Sequence, residues 1–296
     1  MIVRLPKSAG RRLPGTPEPM HRWLGTDGVV LAGDAWGDPD RQLVVLQHGG
    51  GQTRHAWKET GQRLADAGYY AVAFDARGHG DSDWATDGAY GQDVMVQDLQ
   101  CVVAALGQLR PILVGASMGG GVSLVASGEH HVDARALVMV DVAARSESGG
   151  IDRIQAFMAQ NPAGFDTLEE AAAAIAAYQP LRGQAGNLDG LGKNVRLGAD
   201  GKFHWHWDPR FLAGIRHLGS REQRLTSCAR ALRLPTLLVR GGLSDVLSED
   251  GAREFLRHCP HSEYVNVSEA GHMVAGDCND VFGQVMLDFL RRTVPV

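Results

Sequence analysis

The run Ile112-Leu113-Val114-Gly115-Ala116-Ser117-Met118-Gly119-Gly120-Gly121 constrains this chain more than any other stretch. An apolar segment enters Gly-x-Ser-x-Gly, and small, helix-compatible residues follow. The pattern predicts a buried strand, a very sharp turn and a helix, with Ser117 strained at the tip and its hydroxyl pushed outward. Gly115 and Gly119 permit the turn, because a Cβ at either place would clash as strand and helix close on each other. The helix that follows aims free backbone N–H groups and its positive dipole end at the same spot. A Gly-rich turn with an incidental Ser is the plain alternative for the pentapeptide by itself, and the rest of the chain bears against it.

That unit repeats around it. Apolar strands are expected at 42–47, 70–75, 112–116, 136–140, 236–240 and 263–267. Helices are expected at 57–68, 90–109, from Ser117 to about 129, at 249–258 and at 277–292. Strands alternating with helices at this rhythm predict a parallel sheet covered on both faces, wound by right-handed crossovers. A hairpin around Thr26-Asp27-Gly28 precedes it. Residues 1–20 hold Pro6, Pro14, Pro17 and Pro19 and predict an extended N-terminal arm. The rhythm breaks near 144 and resumes at Pro235. Residues 145–225 offer helices at 151–160 and 167–178, a Gly-rich loop at 187–201, and the aromatic cluster Phe203-His204-Trp205-His206-Trp207. The expected organisation is therefore an α/β core made of 21–144 and 226–296, with 145–225 inserted as a helical cap.

Composition narrows the function classes. Of the 296 residues, 44% are hydrophobic and 21% charged, enough for a sizeable core. A net charge of -5 and the lack of any long basic run argue against nucleic acid or an anionic membrane as partner. No signal-like h-region and no membrane-length apolar window is visible, and the four cysteines form neither a CxxC pair nor a disulfide framework. A cytoplasmic protein acting on a small molecule is the expectation, with oligomeric state left open.

In an open parallel sheet, working groups gather at the carboxyl ends of the strands. Ser117 ends one strand. His272, in Glu269-Ala270-Gly271-His272-Met273, follows the last strand and can swing over the sheet toward it. Asp245 follows the strand at 236–240 and can take the far ring N–H of His272. Asp141 ends the strand at 136–140 and is the alternative acid. A Ser hydroxyl needs a base to take its proton, and the base needs a third group to fix its tautomer. The order Ser, acid, His along the chain is the order of one hydrolase fold among the several that use these residues.

These residues resemble an α/β-hydrolase-fold serine hydrolase over 21–144 and 226–296. The likeness is to the capped branch with His48-Gly49-Gly50-Gly51 after one strand and Asp75-x-Arg77-Gly78-x-Gly80-x-Ser82 after the next. That branch includes esterases, lactonases, C–C bond hydrolases and haloperoxidases. The resemblance implies a mostly parallel eight-stranded sheet, backbone N–H groups of Gly50 and Met118 as an oxyanion hole, and no cofactor or metal. It also makes the 77–82 loop with His79 and Asp81 a structural turn and His48 a loop-holding residue. Ser117 stands where epoxide hydrolases and haloalkane dehalogenases carry Asp, which argues against those two activities. Phe203, Trp205 and Trp207 are expected to pack in the cap, with Trp205 and Trp207 in the substrate pocket. His204 and His206 lack the companions of a zinc site. The expected activity is cleavage of a carboxylic ester or lactone of a small to medium, partly apolar substrate. A C–C bond hydrolase of a vinylogous diketone, a perhydrolase, and a non-enzymatic ligand receptor on the same scaffold are the alternatives.

Overall fold

A computed structural model describes residues 8–108, 110–178, 188–215, 218–274 and 279–296. Eight strands form one sheet in the order β1-β2-β4-β3-β5-β6-β9-β10. They are β1 (His21–Leu24), β2 (Val30–Trp36), β3 (Leu43–Gln47), β4 (Tyr70–Phe74), β5 (Ile112–Ala116), β6 (Ala136–Val140), β9 (Thr236–Gly241) and β10 (Glu263–Val267). β1 and β2 pair antiparallel, β2 meets β4 antiparallel, and every other pairing is parallel.

The central strands β3, β5 and β6 are apolar along nearly their whole length because both faces are covered. Side-chain alternation splits the core. Val45, Leu113 and Leu137 pack on one face with α2 (Gln92–Ala105), α3 (Met118–Gly128) and α6 (Leu218–Ala231). Val44, Leu46, Val114 and Val138 pack on the other, against Leu64 of α1 (Lys58–Asp66) and Phe282, Met286 and Leu290 of α8 (Asn279–Thr293). α7 (Glu249–His258) joins β9 to β10 and is capped by Ser248, whose hydroxyl accepts from the Gly251 N–H.

Between β6 and β9 lie α4 (Ser148–Ala159), α5 (Leu168–Tyr178) and a two-stranded sheet of β7 (Val195–Leu197) and β8 (Phe203–Trp205). The strand β7 corrects the expectation of a plain loop across 187–201. The reason lies outside the segment: Arg11 of the N-terminal arm exchanges backbone hydrogen bonds with Leu197 at 2.8 and 2.9 Å, and Phe165 does the same with Phe203. These partners extend two strands too short to be seen by alternation. Residues 179–187, and the first seven residues of the expected arm, lie outside the described residues.

Candidate active site

β5 ends at Ala116, and Ser117 turns the chain with φ 47° and ψ −110° directly into α3. A Cβ on Gly115 would stand 2.4 Å from the Gly119 backbone, and one on Gly119 2.5 Å from the Gln47 carbonyl oxygen. Only bare backbone at both places lets the helix descend this steeply onto the sheet. The left-handed geometry of Ser117 stores strain at the tip and keeps its side chain half-exposed.

The neighbouring strand supplies the carboxylate. Asp141 follows β6 directly, is wholly buried, and also has a positive φ, 51°. Its Oδ1 accepts from the Gly241 N–H at 2.8 Å. Its Oδ2 lies 2.6 Å from His272 Nδ1 and accepts from the Ser244 hydroxyl at 2.5 Å. The expectation that Asp245 would meet His272 is corrected here. Its carboxylate points away to Arg153 of α4 at 2.9 Å, a largely exposed pair. α4 explains this, since Gly150 packs so closely on the Asp245 carbonyl that a Cβ there would come within 2.2 Å. The loop after β9 brings a hydroxyl, Ser244, to the imidazole's carboxylate. Ser244 stood in the quoted loop, and no spacing rule singles it out.

The loop after β3 forms the facing wall. Gly50, Ser117, Met118 and His272 line one cavity of about 880 Å³. Among the described residues, neither the Gly50 N–H nor the Met118 N–H donates to a protein acceptor. Their neighbours are fully engaged. The Gly49 N–H donates to Gln52 Oε1 at 2.8 Å, and the Gln52 N–H closes a turn onto the Gly49 carbonyl at 3.1 Å.

Comparison with known proteins now bears on this geometry. The family profile described as alpha/beta hydrolase fold matches residues 42–277. The chain belongs to that family. It is 27% identical over 271 residues to the 3-hydroxybutyrate-oligomer hydrolase of Cupriavidus necator, covering 87% of this chain and 89% of the relative. It is 29% identical over 248 residues to an esterase of Mycobacterium tuberculosis, covering 82% and 80%. The solved structure of E-2-(acetamidomethylene)succinate hydrolase superposes with a TM-score of 0.78 at 22% identity, over 91% of this chain and 98% of that one, a likeness of fold. The protein is an enzyme, a hydrolase.

In this α/β hydrolase the segment between β6 and β9 lines much of the cavity, through Ile154, Phe157, Met158, Trp205, Trp207 and Phe211. Trp205 and Trp207 stack at 4.9 Å with 13° between their planes, and the Trp207 N–H donates to the Met158 carbonyl. His204 pairs with Asp200 at 2.9 Å and takes no part in the cavity wall. Among the described residues no three His, Cys, Asp or Glu side chains are grouped as a metal ion would need.

Three buried imidazoles hold the loop after β3. His48 Nδ1 meets the Gly49 carbonyl at 2.8 Å, and its Nε2 accepts from the Ala76 N–H at 2.9 Å. His79 Nε2 accepts from the Gly51 N–H at 3.2 Å. His206, from the segment after β8, accepts from the Gly80 N–H at 2.8 Å and meets the Gly51 carbonyl at 3.2 Å. Each ring has one nitrogen accepting and one facing a carbonyl, which is the pattern of a neutral imidazole. Arg54 anchors the far end of the loop, buried among Asp34, Asp75 and Asp81 at 2.9, 2.6 and 2.9 Å. Asp81 also takes Arg196 at 2.9 Å. His48, His79 and Asp81 are thus placed as supports of the loop. His206 as a clamp on Gly51 was not foreseen, and nothing in its neighbourhood along the chain signals it.

Burial pushes all three imidazoles below the ordinary histidine value, His79 to about 3 and His206 well below. The sign follows from linkage. An unfolded chain binds protons at these rings below pH 6.5 more readily than the folded one, so stability is full above 6.5 and falls as pH drops toward the folded values. His79 and His206, with the large shifts, each contribute a slope of up to about 1.4 kcal/mol per pH unit there. Asp75 is held below its ordinary 3.8, so its own loss begins only at more acid pH. Denaturant unfolding at pH 7.5, 6 and 5 is expected to show most of the loss between 6 and 5, and His206→Gln a shallower loss. A flat profile between 7.5 and 5 would contradict neutral rings.

Proposed function

We propose that this chain is a cofactor-free serine hydrolase that cleaves a carboxylic ester or lactone through an acyl-enzyme on Ser117. The observation that carries the reading is the 2.6 Å contact between buried Asp141 Oδ2 and Nδ1 of His272, which lines the same cavity as Ser117. His272 takes the proton of the Ser117 hydroxyl through Nε2 as the oxygen attacks the substrate carbonyl. Asp141 fixes the Nδ1–H tautomer and stabilises the imidazolium. The N–H groups of Gly50 and Met118 receive the tetrahedral oxyanion; one such donor is typically worth about 10²–10³ in rate. The imidazolium then protonates the leaving alkoxide. Water, deprotonated by the same ring, attacks the acyl-enzyme and restores Ser117.

The segment between β6 and β9 acts as the cap, enclosing a partly apolar substrate beneath its Trp pair. The relatives named esterase and 3-hydroxybutyrate-oligomer hydrolase support an ester as the bond cleaved. The test is covalent. A fluorophosphonate is expected to label one residue per chain, Ser117, and p-nitrophenyl butyrate to give a burst of one p-nitrophenolate per active site. Tight ligand binding with neither label nor burst would replace this reading by that of a receptor.

A further inference from the structure

One part of the cavity wall plays no role in the reaction just described. Gln92 opens α2, Gly121 lies one turn into α3, and Arg221 lies in the first turn of α6; Gln92, Arg221 and Ser117 all line the cavity. A Cβ on Gly121 would stand 2.9 Å from Arg221 Nη2 and 3.3 Å from Gln92 Nε2. Two nitrogen donors therefore converge over bare backbone. Gln92 is also the first residue of α2, whose cap, Gly91, offers no side chain to the first-turn N–H groups.

Among the described residues nothing neutralises Arg221. The nearby acids are taken by Arg224, whose guanidinium meets Asp93 at 2.6 Å and Glu129 at 2.6 Å. Among the described residues no carboxylate pairs with Arg221, and burial draws its proton affinity below the ordinary arginine range. A guanidinium still stays charged at neutral pH. Withdrawing an unpaired charge from water is costly, and buried charges are normally paired. A cation kept unpaired in the wall of a substrate cavity is explained when a ligand brings the anion.

We propose that Arg221 and Gln92 form a carboxylate-binding subsite, and that the substrate is an ester or lactone bearing a free carboxylate. The proposal rests on Ser117 as nucleophile for the reaction and on the cavity wall alone for the subsite. The planar guanidinium presents two parallel N–H groups to a carboxylate, and the Gln92 amide adds a third donor. The Gly121 N–H donates to the Ser117 carbonyl at 3.0 Å. Gly121 is thus one helical turn, ~5.4 Å along the axis, from the nucleophile's backbone, and the two donors lie just beyond it, within reach of a short carbon chain.

The test compares mono-p-nitrophenyl glutarate and adipate with p-nitrophenyl valerate and hexanoate, which match them in carbon number and lack the charge. Wild type is expected to prefer the charged ester, with the preference carried by KM. Arg221→Met should lower the charged-to-neutral ratio of kcat/KM at least tenfold, Gln92→Ala should lower it less, and Arg221→Lys should fall between wild type and Arg221→Met. Arg221→Met is expected to melt no lower than wild type, because it removes an unpaired charge. Calorimetric titration with glutarate needs no turnover and should weaken at least tenfold in Arg221→Met. Glutarate binding that depends on Arg221 without any ester turnover overturns the ester reaction and leaves the subsite standing. Turnover with no preference for the charged ester, or a ratio unmoved in Arg221→Met, overturns the subsite alone.

Discussion

Asp141→Asn is expected to lower kcat about 10⁴-fold, the magnitude typical when the acid of a Ser-His-Asp set becomes an amide. Asp245→Asn should leave kcat within a few-fold of wild type. Asp141 now accepts from Gly241 N–H, Ser244 Oγ and His272 Nδ1. An amide has one oxygen and one NH₂ group. If the oxygen keeps the Gly241 N–H, the NH₂ faces His272 Nδ1, which must then accept. The ring proton moves to Nε2, and the nitrogen facing the substrate can no longer take the serine proton. Asp245 reaches no such partner; its loss only frees exposed Arg153, and an exposed pair is worth about 0–1 kcal/mol. Steady-state turnover of p-nitrophenyl butyrate by the two variants decides it. Full activity in Asp141→Asn with loss in Asp245→Asn would reverse the assignment.

Ser117→Ala is expected to remove turnover almost entirely, on the order of 10⁵–10⁶ in kcat, because no group remains to form the acyl intermediate. Stability should hardly change. The hydroxyl is half-exposed, and Ala meets the same positive φ that Ser already tolerates here. A second prediction follows from the residues acting as a unit. Adding Asp141→Asn to Ser117→Ala should cost little more, since the acid works only through the base and the base only through the hydroxyl. Both readouts are needed: kcat for the loss and a thermal melt to show the fold intact. Ester hydrolysis surviving in a folded Ser117→Ala would end the acyl-enzyme mechanism.

Much of the fold was legible because both faces of the sheet are covered. Stretches such as 43–46 of β3 and Ala136–Val140 are apolar throughout and have few other ways to fold. The nucleophile turn was equally plain, since Gly115 and Gly119 answer a steric demand that lies within five residues. The acid was not. Asp141 and Asp245 both follow a strand and both satisfy the order Ser, acid, His. What separates them is the packing of Gly150 and Arg153 onto the loop after β9, a contact across some ninety residues that leaves no periodic trace. β7 escaped for a similar reason, being three residues long and completed by Arg11 from the far end of the chain. The clamp of His206 on Gly51 is of the same kind: one ring, no repeat, a partner 155 positions away.

That clamp fastens the segment after β8 to the loop after β3 at one edge of the cavity. The stretch holding Trp205, His206 and Trp207 cannot rise without pulling on Gly51, and Gly51 carries Gly50 with it. The same stretch is tied to α4, since the Trp207 N–H donates to the Met158 carbonyl and Phe157 packs on both tryptophans. Displacing the stretch, the loop or α4 would strain the backbone on either side of Gly50, so the wall of the cavity and the loop after β3 are mechanically one piece.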